Sequence, residues 1–131
     1  RLDRRFDWVG PQHPRSKIRP IRLRRSADET AEESAYREAR QKLNEWNSSF
    51  WEHHNQLFDS EKAQFVAKRK EELGRLATVS AADMSSFYSH FLNSRREALS
   101  NYNREWYQRN LCLIWPALRV NFLRARRLLL R

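Results

Sequence analysis

Glycine, proline and cysteine are scarce: the chain of 131 residues has two glycines, four prolines and one cysteine. The isolated Gly10 and Gly74 cannot build a dinucleotide fingerprint or a P-loop, both of which need several glycines within a few positions. The lone Cys112 excludes an internal disulfide, a CxxC redox pair and a cysteine-based zinc site. A fold of many short strands needs more turn residues than these. Long apolar runs are missing too. The uninterrupted run Leu111–Leu118 has eight residues, against about 20 for a membrane-crossing helix. What is present is charge and aromatic surface: 26 Lys+Arg against 16 Asp+Glu, a formal net charge of +10, and 12% aromatic residues. That combination describes a basic, helical protein of one domain.

The charge is unevenly placed. Residues 1–27 carry nine basic and two acidic groups, residues 28–83 eight basic and twelve acidic, and residues 84–131 nine basic and two acidic. A basic arm and a basic tail therefore flank a mildly acidic middle, and both ends suit polyanions: nucleic acid, anionic lipid or an acidic protein surface.

Three of the four prolines (Pro11, Pro14, Pro20) fall within residues 1–26, which predicts an extended, irregular basic arm. Within it, Asp7-Trp8-Val9-Gly10-Pro11 and Lys17-Ile18-Arg19-Pro20-Ile21 have the composition of ordered patches, with Trp8 as an anchor. A helical domain is expected over 27–131. A first helix, about 28–58, carries Tyr36, Ala39, Leu43, Trp46, Phe50, His53 and Leu57 at alternating spacings of three and four. Asp28, Glu29, Glu32 and Glu33 crowd its start, where the helix dipole favours them. Trp51 points about 100° off the stripe and needs a contact of its own. Asp59 or Ser60 can cap a shorter helix over 60–73, with Gly74 at its C′ position. Ser80-Ala81-Ala82-Asp83 has the form of a capping box for a helix over 80–115, with Met84, Phe87, Tyr88, Phe91, Ala98, Leu99, Tyr102 and Trp106 on one side. That helix would be about 53 Å long, while a rounded globule of this size is about 36 Å across. The expected fold is thus all-α: an elongated antiparallel helical hairpin with a shorter third helix, Trp46 and Phe50 facing Tyr102 or Phe91. Over 111–131 an amphipathic basic tail follows, with Pro116 kinking or breaking it.

Nothing in the sequence has the form of a catalytic site. HExxH, GxSxG and SxxK are absent. Glu52-His53-His54 has no second carboxylate or thiolate cluster at ligand spacing, so no metal and no cofactor is expected. Recognition residues are the better candidates. Tyr102 and Trp106 read as core, whereas Arg104, Tyr107 and Arg109 combine arginine with aromatics as interface hot spots do. With Trp8, Arg19 and Trp51 they form the expected partner-binding set. Leu111, Ile114, Trp115, Leu118 and Phe122, interleaved with Arg119, Arg124, Arg126 and Arg127, form the expected membrane-contact set. Apolar side chains would enter the interface there while guanidinium groups meet anionic headgroups. Packing of this segment on the hairpin is the alternative.

These segments resemble one family in order and spacing. Asp7-Trp8-Val9-Gly10-Pro11, Ile18-Arg19-Pro20, Glu45-Trp46-Asn47, Phe50-Trp51, Phe87-Tyr88 with Phe91-Leu92, and Tyr102-Asn103-Arg104 through Trp106-Tyr107 and Arg109-Asn110 are similar to the mitochondrial cytochrome c oxidase assembly factor 8 proteins, also called apoptogenic protein 1. Gln12 stands where the family usually has a second proline, and beyond Asn110 only the apolar, basic character is shared. The resemblance implies a protein imported into mitochondria, its targeting peptide absent from this chain, and held peripherally on the matrix side of the inner membrane. It implies support of oxidase assembly and protection of the oxidase from oxidative damage, without enzymatic activity. Oxidase subunits or assembly intermediates, together with cardiolipin, are then the expected partners. The competing reading is a nucleic-acid- or ribosome-associated mitochondrial protein. Charge permits that reading, but no RNA-binding motif supports it.

Overall fold

The computed structural model describes residues 3–131, so Arg1 and Leu2 of the arm lie outside the described residues. Two short strands, β1 (Trp8–Val9) and β2 (Ile21–Arg22), precede three helices, α1 (Ala31–Leu73), α2 (Ala81–Ser94) and α3 (Arg96–Leu129). At about 1.5 Å per residue, the 43 residues of α1 span roughly 64 Å. α2 and α3 run back along it end to end. Their antiparallel sense is fixed by the pairs Phe65–Phe87, Phe58–Phe91, Trp46–Tyr102 and Glu33–Arg127, in which rising numbers on α1 meet falling numbers on the other side. The fold is the expected all-α hairpin.

Its core is an aromatic ladder one residue wide. Tyr102 stacks on Phe50 (4.1 Å between ring centroids) and on Trp46 (5.2 Å). Further along, His54 and Phe58 meet Phe91, and Phe65 stacks on Phe87. So thin a core buries few side chains fully: Phe91 and Val120 are each 1% exposed. At about 1.5–3 kcal/mol per buried large apolar side chain, the half-buried rings around them carry much of the stability. The sequence stripe placed His53 in this ladder. The structure instead buries His54 and leaves His53 exposed, because the contact with Phe91 lies one position further round the helix.

Helix boundaries differ from the expected ones in four places, each with a local cause. α1 is capped by Thr30, whose hydroxyl accepts from the Glu33 amide at 3.2 Å, so Asp28 and Glu29 precede the helix. α1 also passes through Asp59 and Ser60 without a break. No glycine or proline interrupts it, and Phe58 and Phe65 stay in phase for contact with α2. It stops at Gly74, whose φ of 103° suits a residue without a side chain. The expected single helix over 80–115 is divided at Arg95 (φ −95°, ψ 1°), just after Ser94 turns its hydroxyl back to the Phe91 carbonyl at 2.7 Å. Finally, α3 continues through Pro116. An internal proline costs about 3 kcal/mol, and here packing on both sides, at Tyr102 and at Val120, holds the helix together.

The arm folds back on itself. β1 and β2 pair antiparallel, Trp8 opposite Arg22 and Val9 opposite Ile21, so the two patches marked in the sequence become the two sides of one hairpin. A Cβ on Gly10 would lie 2.8 Å from Pro20 Cγ and 2.9 Å from Trp8 Cζ2, so only glycine lets the Trp8 ring close over this turn. The hairpin then lies along α1, held by side chains that read its backbone. Gln41 accepts from the Leu23 amide (3.0 Å), Asn44 donates to the Arg19 carbonyl (3.1 Å), and Asn55 donates to the Arg15 carbonyl (2.7 Å). Ser48 and Ser16 share a hydrogen bond at 2.8 Å.

Candidate interaction surface

α3 presents two opposed apolar faces. The inner one, with Tyr102, Leu113, Val120 and Leu123, packs on α1. At about 100° per residue, Tyr107, Leu111, Ile114, Trp115, Leu118, Phe122 and Leu129 fall within a sector of about 100° on the other side. They are exposed: Trp115 by 71% and Phe122 by 68%, against 1% for Val120 on the covered side. From Tyr107 to Leu129 this outer face runs roughly 33 Å. Arg104 lies within the same sector and Arg126 at its edge. No acidic residue follows Glu105 in the chain. Among the described residues no helix is long and apolar enough to cross a membrane.

Of the expected partner-binding residues, Arg104 and Tyr107 are exposed on this face. The others have structural work. Arg109 lies over the Trp46 ring (4.6 Å to its centroid) and pairs with Glu105 at 2.8 Å, closing the end of the aromatic ladder. Trp51 finds the second contact its position demanded: its indole N–H donates to the Tyr102 hydroxyl at 3.0 Å, and that hydroxyl donates to Asn47. Trp8 is half-buried in the arm hairpin, and Arg19, exposed, contributes its carbonyl to Asn44. These four do not converge with Arg104 and Tyr107 on one surface.

The expected membrane-contact residues also divide. Leu111, Ile114, Trp115, Leu118 and Phe122 are exposed together, with Arg126 beside them. Arg119, Arg124 and Arg127 turn to the start of α1 instead. Arg119 pairs with Glu32 (2.8 Å), Arg127 with Glu33 (2.5 Å) and Asp28 (3.4 Å), and Arg124 reaches Glu33 at 3.9 Å. Arg131 adds a bond to Asp28 at 3.1 Å. The acidic start of α1 is therefore chiefly a clasp for the end of α3. Glu33, 2% exposed, sits at its centre and is buried only because guanidinium groups meet it. A hydrogen bond from Ser26 and the charge of Arg127 hold the Asp28 carboxyl below its usual range, and bidentate Arg37 does the same for Glu29.

Three participants had weak signals in the sequence. Thr30-Ala31-Glu32-Glu33 has capping-box spacing, which locates the start of α1. Gln41, Asn44, Ser48 and Asn55 repeat at helical spacing, a polar stripe beside the apolar one, and it is the arm's docking track. His54 accepts from Arg95 at 3.4 Å across the α2–α3 break. Among the described residues no three His, Cys, Asp or Glu side chains converge as a metal site.

By architecture this is an elongated all-α hairpin whose second long helix leaves one apolar face uncovered. The chain belongs to the cytochrome c oxidase assembly factor 8 family, whose model matches residues 6–126. A mitochondrial member of that family from Caenorhabditis briggsae is 60% identical over 95% of this chain and 87% of its own length. The mouse and human proteins named cytochrome c oxidase assembly factor 8 are 36% and 35% identical over 82% of this chain, covering 60% and 56% of their own lengths. No solved structure matches the chain.

Proposed function

We propose that this protein supports cytochrome c oxidase assembly in mitochondria as a non-enzymatic helical adaptor, held peripherally at the matrix face of the inner membrane, and that it protects the oxidase from oxidative damage there. Membership of the assembly-factor family supports the oxidase role, and the mitochondrial names of its relatives support the compartment. The observation that carries the adaptor reading is the outer face of α3: an exposed apolar stripe about 33 Å long, bordered by Arg104 and Arg126 and free of acidic residues. Such a surface suits the interfacial region of an anionic, cardiolipin-containing bilayer. Arg104 and Tyr107, where the stripe begins, are the residues proposed to meet an oxidase subunit or assembly intermediate.

Point substitutions on the outer face test this reading, because truncation after Asn110 would remove Val120 and the arginine clasp as well. The chain is expected to float with vesicles of phosphatidylcholine and cardiolipin and to detach partly as salt rises. Leu118→Ser with Phe122→Ser should abolish flotation at an unchanged melting temperature. Arg104→Ala with Tyr107→Ala should reduce co-purification of oxidase subunits from mitochondria. Equal flotation of parent and variant, or none by either, overturns the membrane contact, and undiminished co-purification overturns the partner patch.

A further inference from the structure

The N-terminal arm, the start of α1 and the end of α3 meet around a cleft of about 380 Å³, within the roughly 300–1,000 Å³ range of small-molecule sites. Six arginines and four carboxylates line it. The carboxylates are already engaged: Glu29 by Arg37, Glu33 by Arg127, Asp28 by Arg127 and Arg131, and Asp7 by the Arg24 backbone amide at 2.6 Å. Two arginines on the same cleft are left over and a third is held only loosely. Arg24 and Arg40 have no carboxylate within 4.0 Å among the described residues, and Arg124 reaches Glu33 only at 3.9 Å, behind Arg127. Arg40 lies over the Tyr36 ring at 5.8 Å from its centroid, and both residues line the cleft.

A clasp alone does not account for this arrangement. Arg24 of the arm and Arg40 of α1 fasten nothing to a carboxylate, and with the loosely held Arg124 of α3 they border one cleft. Six guanidinium groups against four carboxylates leave the lining with a surplus of two positive charges, which an anion in the cleft would offset. The guanidinium fork matches the oxygens of a phosphate two at a time, and Leu23 and Leu128 give the cleft an apolar wall that a phosphate ester can lie against. We propose that this cleft is a phosphate-binding site, with Arg24, Arg40 and Arg124 as its anion ligands. The phosphate is that of a phospholipid headgroup or of a soluble phosphate compound. The site is separate from the outer face of α3 and does not depend on that face entering a membrane.

The test is a titration of the full chain, read on the arginine Nε–H resonances, with three probes: pyrophosphate, and dihexanoyl phosphatidylglycerol or dihexanoyl phosphatidylcholine below their micelle concentrations. The Arg24 and Arg40 signals should shift and saturate, while that of Arg75, at the far end of α1, should not. Arg24→Gln with Arg40→Gln should raise the half-saturating concentration about tenfold or more. Arg75→Gln should leave it unchanged. Arg24→Gln alone, which breaks no ion pair and no ring contact, should move binding the same way and covers the case of a misfolded double variant. Saturation by phosphatidylglycerol, with or without pyrophosphate, assigns a lipid headgroup, and saturation by pyrophosphate alone assigns a soluble phosphate. An equal response by all arginines, no response to either anion, or variants that bind like the parent overturns the site. Pyrophosphate has no acyl chain, so this result is independent of whether the chain floats with vesicles.

Discussion

The hydroxyl of Tyr102 is one atom on which two helices depend, and removing it alone measures what the polar part of the ladder contributes. Tyr102→Phe preserves the stacks on Phe50 and Trp46. It takes away the acceptor of the Trp51 indole N–H and the donor to Asn47. An unsatisfied buried polar group costs about 1–3 kcal/mol. Trp51 and Asn47 are half-buried and regain some water, so the expected loss is about 1–2 kcal/mol in total. For a chain of this length, 1 kcal/mol corresponds to roughly 4 °C, giving a drop of about 4–8 °C. Tyr102→Ala also removes the ring and should cost about 3–5 kcal/mol. Urea unfolding followed at 222 nm yields both values. Combined with Trp51→Phe in a double-mutant cycle, Tyr102→Phe should show a coupling of about 1 kcal/mol, because the second removal finds the bond already gone. If Tyr102→Phe changes stability by less than about 0.5 kcal/mol, the polar ladder is incidental and the stacks alone join the helices.

Burial, then the charges of Arg95 and His53, lower the pKa of His54. Above its ordinary value of about 6.5, His54 is neutral in both states; below it the unfolded chain takes up a proton that the folded chain resists, so stability falls as pH falls toward the folded value. His54→Gln should flatten the stability profile as pH falls below about 6.5, above the range where the lowered carboxyls Asp28, Glu29 and Asp83 titrate. A profile as steep in the variant would assign the slope elsewhere. Gly10→Ala should force the Trp8 ring off the turn at a cost of about 1–3 kcal/mol and raise hydrogen exchange at the Leu23 amide, which Gln41 now protects. Unchanged exchange at Leu23 would show that the arm docks without its hairpin.

The apolar period made the hairpin legible. Trp46, Phe50, Phe87, Phe91 and Tyr102 stand where periodicity put them, since a stripe in a helix this thin has only one neighbour to meet. Breaks were legible only where backbone chemistry was decisive, as at Gly74. Asp59-Ser60 and Pro116 are local signals that packing overrides, and the turn at Arg95 depends on a side-chain bond from Ser94 that no residue type announces. The polar stripe that holds the arm is only faintly legible because Gln, Asn and Ser on a helix surface ordinarily face water, and only the partner makes them different.

Charge was the least legible feature, for a physical reason. Summed along the chain, the end of α3 is strongly basic and the start of α1 acidic, and each invites a separate explanation: a polyanion for one, a helix dipole for the other. In the folded chain residues as far apart as Asp28 and Arg131 are neighbours, so much of the apparent excess is spent internally. Among the described arginines that no carboxylate pairs, recognition can draw on those beside a surface built to receive a ligand: Arg104 and Arg126 beside the uncovered face, Arg24 and Arg40 at the cleft. These residues come from three elements, the arm, α1 and α3. Arg104 and Arg126 could be read from the company they keep in the sequence, but Arg24 and Arg40 could not, because only the folded chain shows which carboxylates the other cleft arginines occupy.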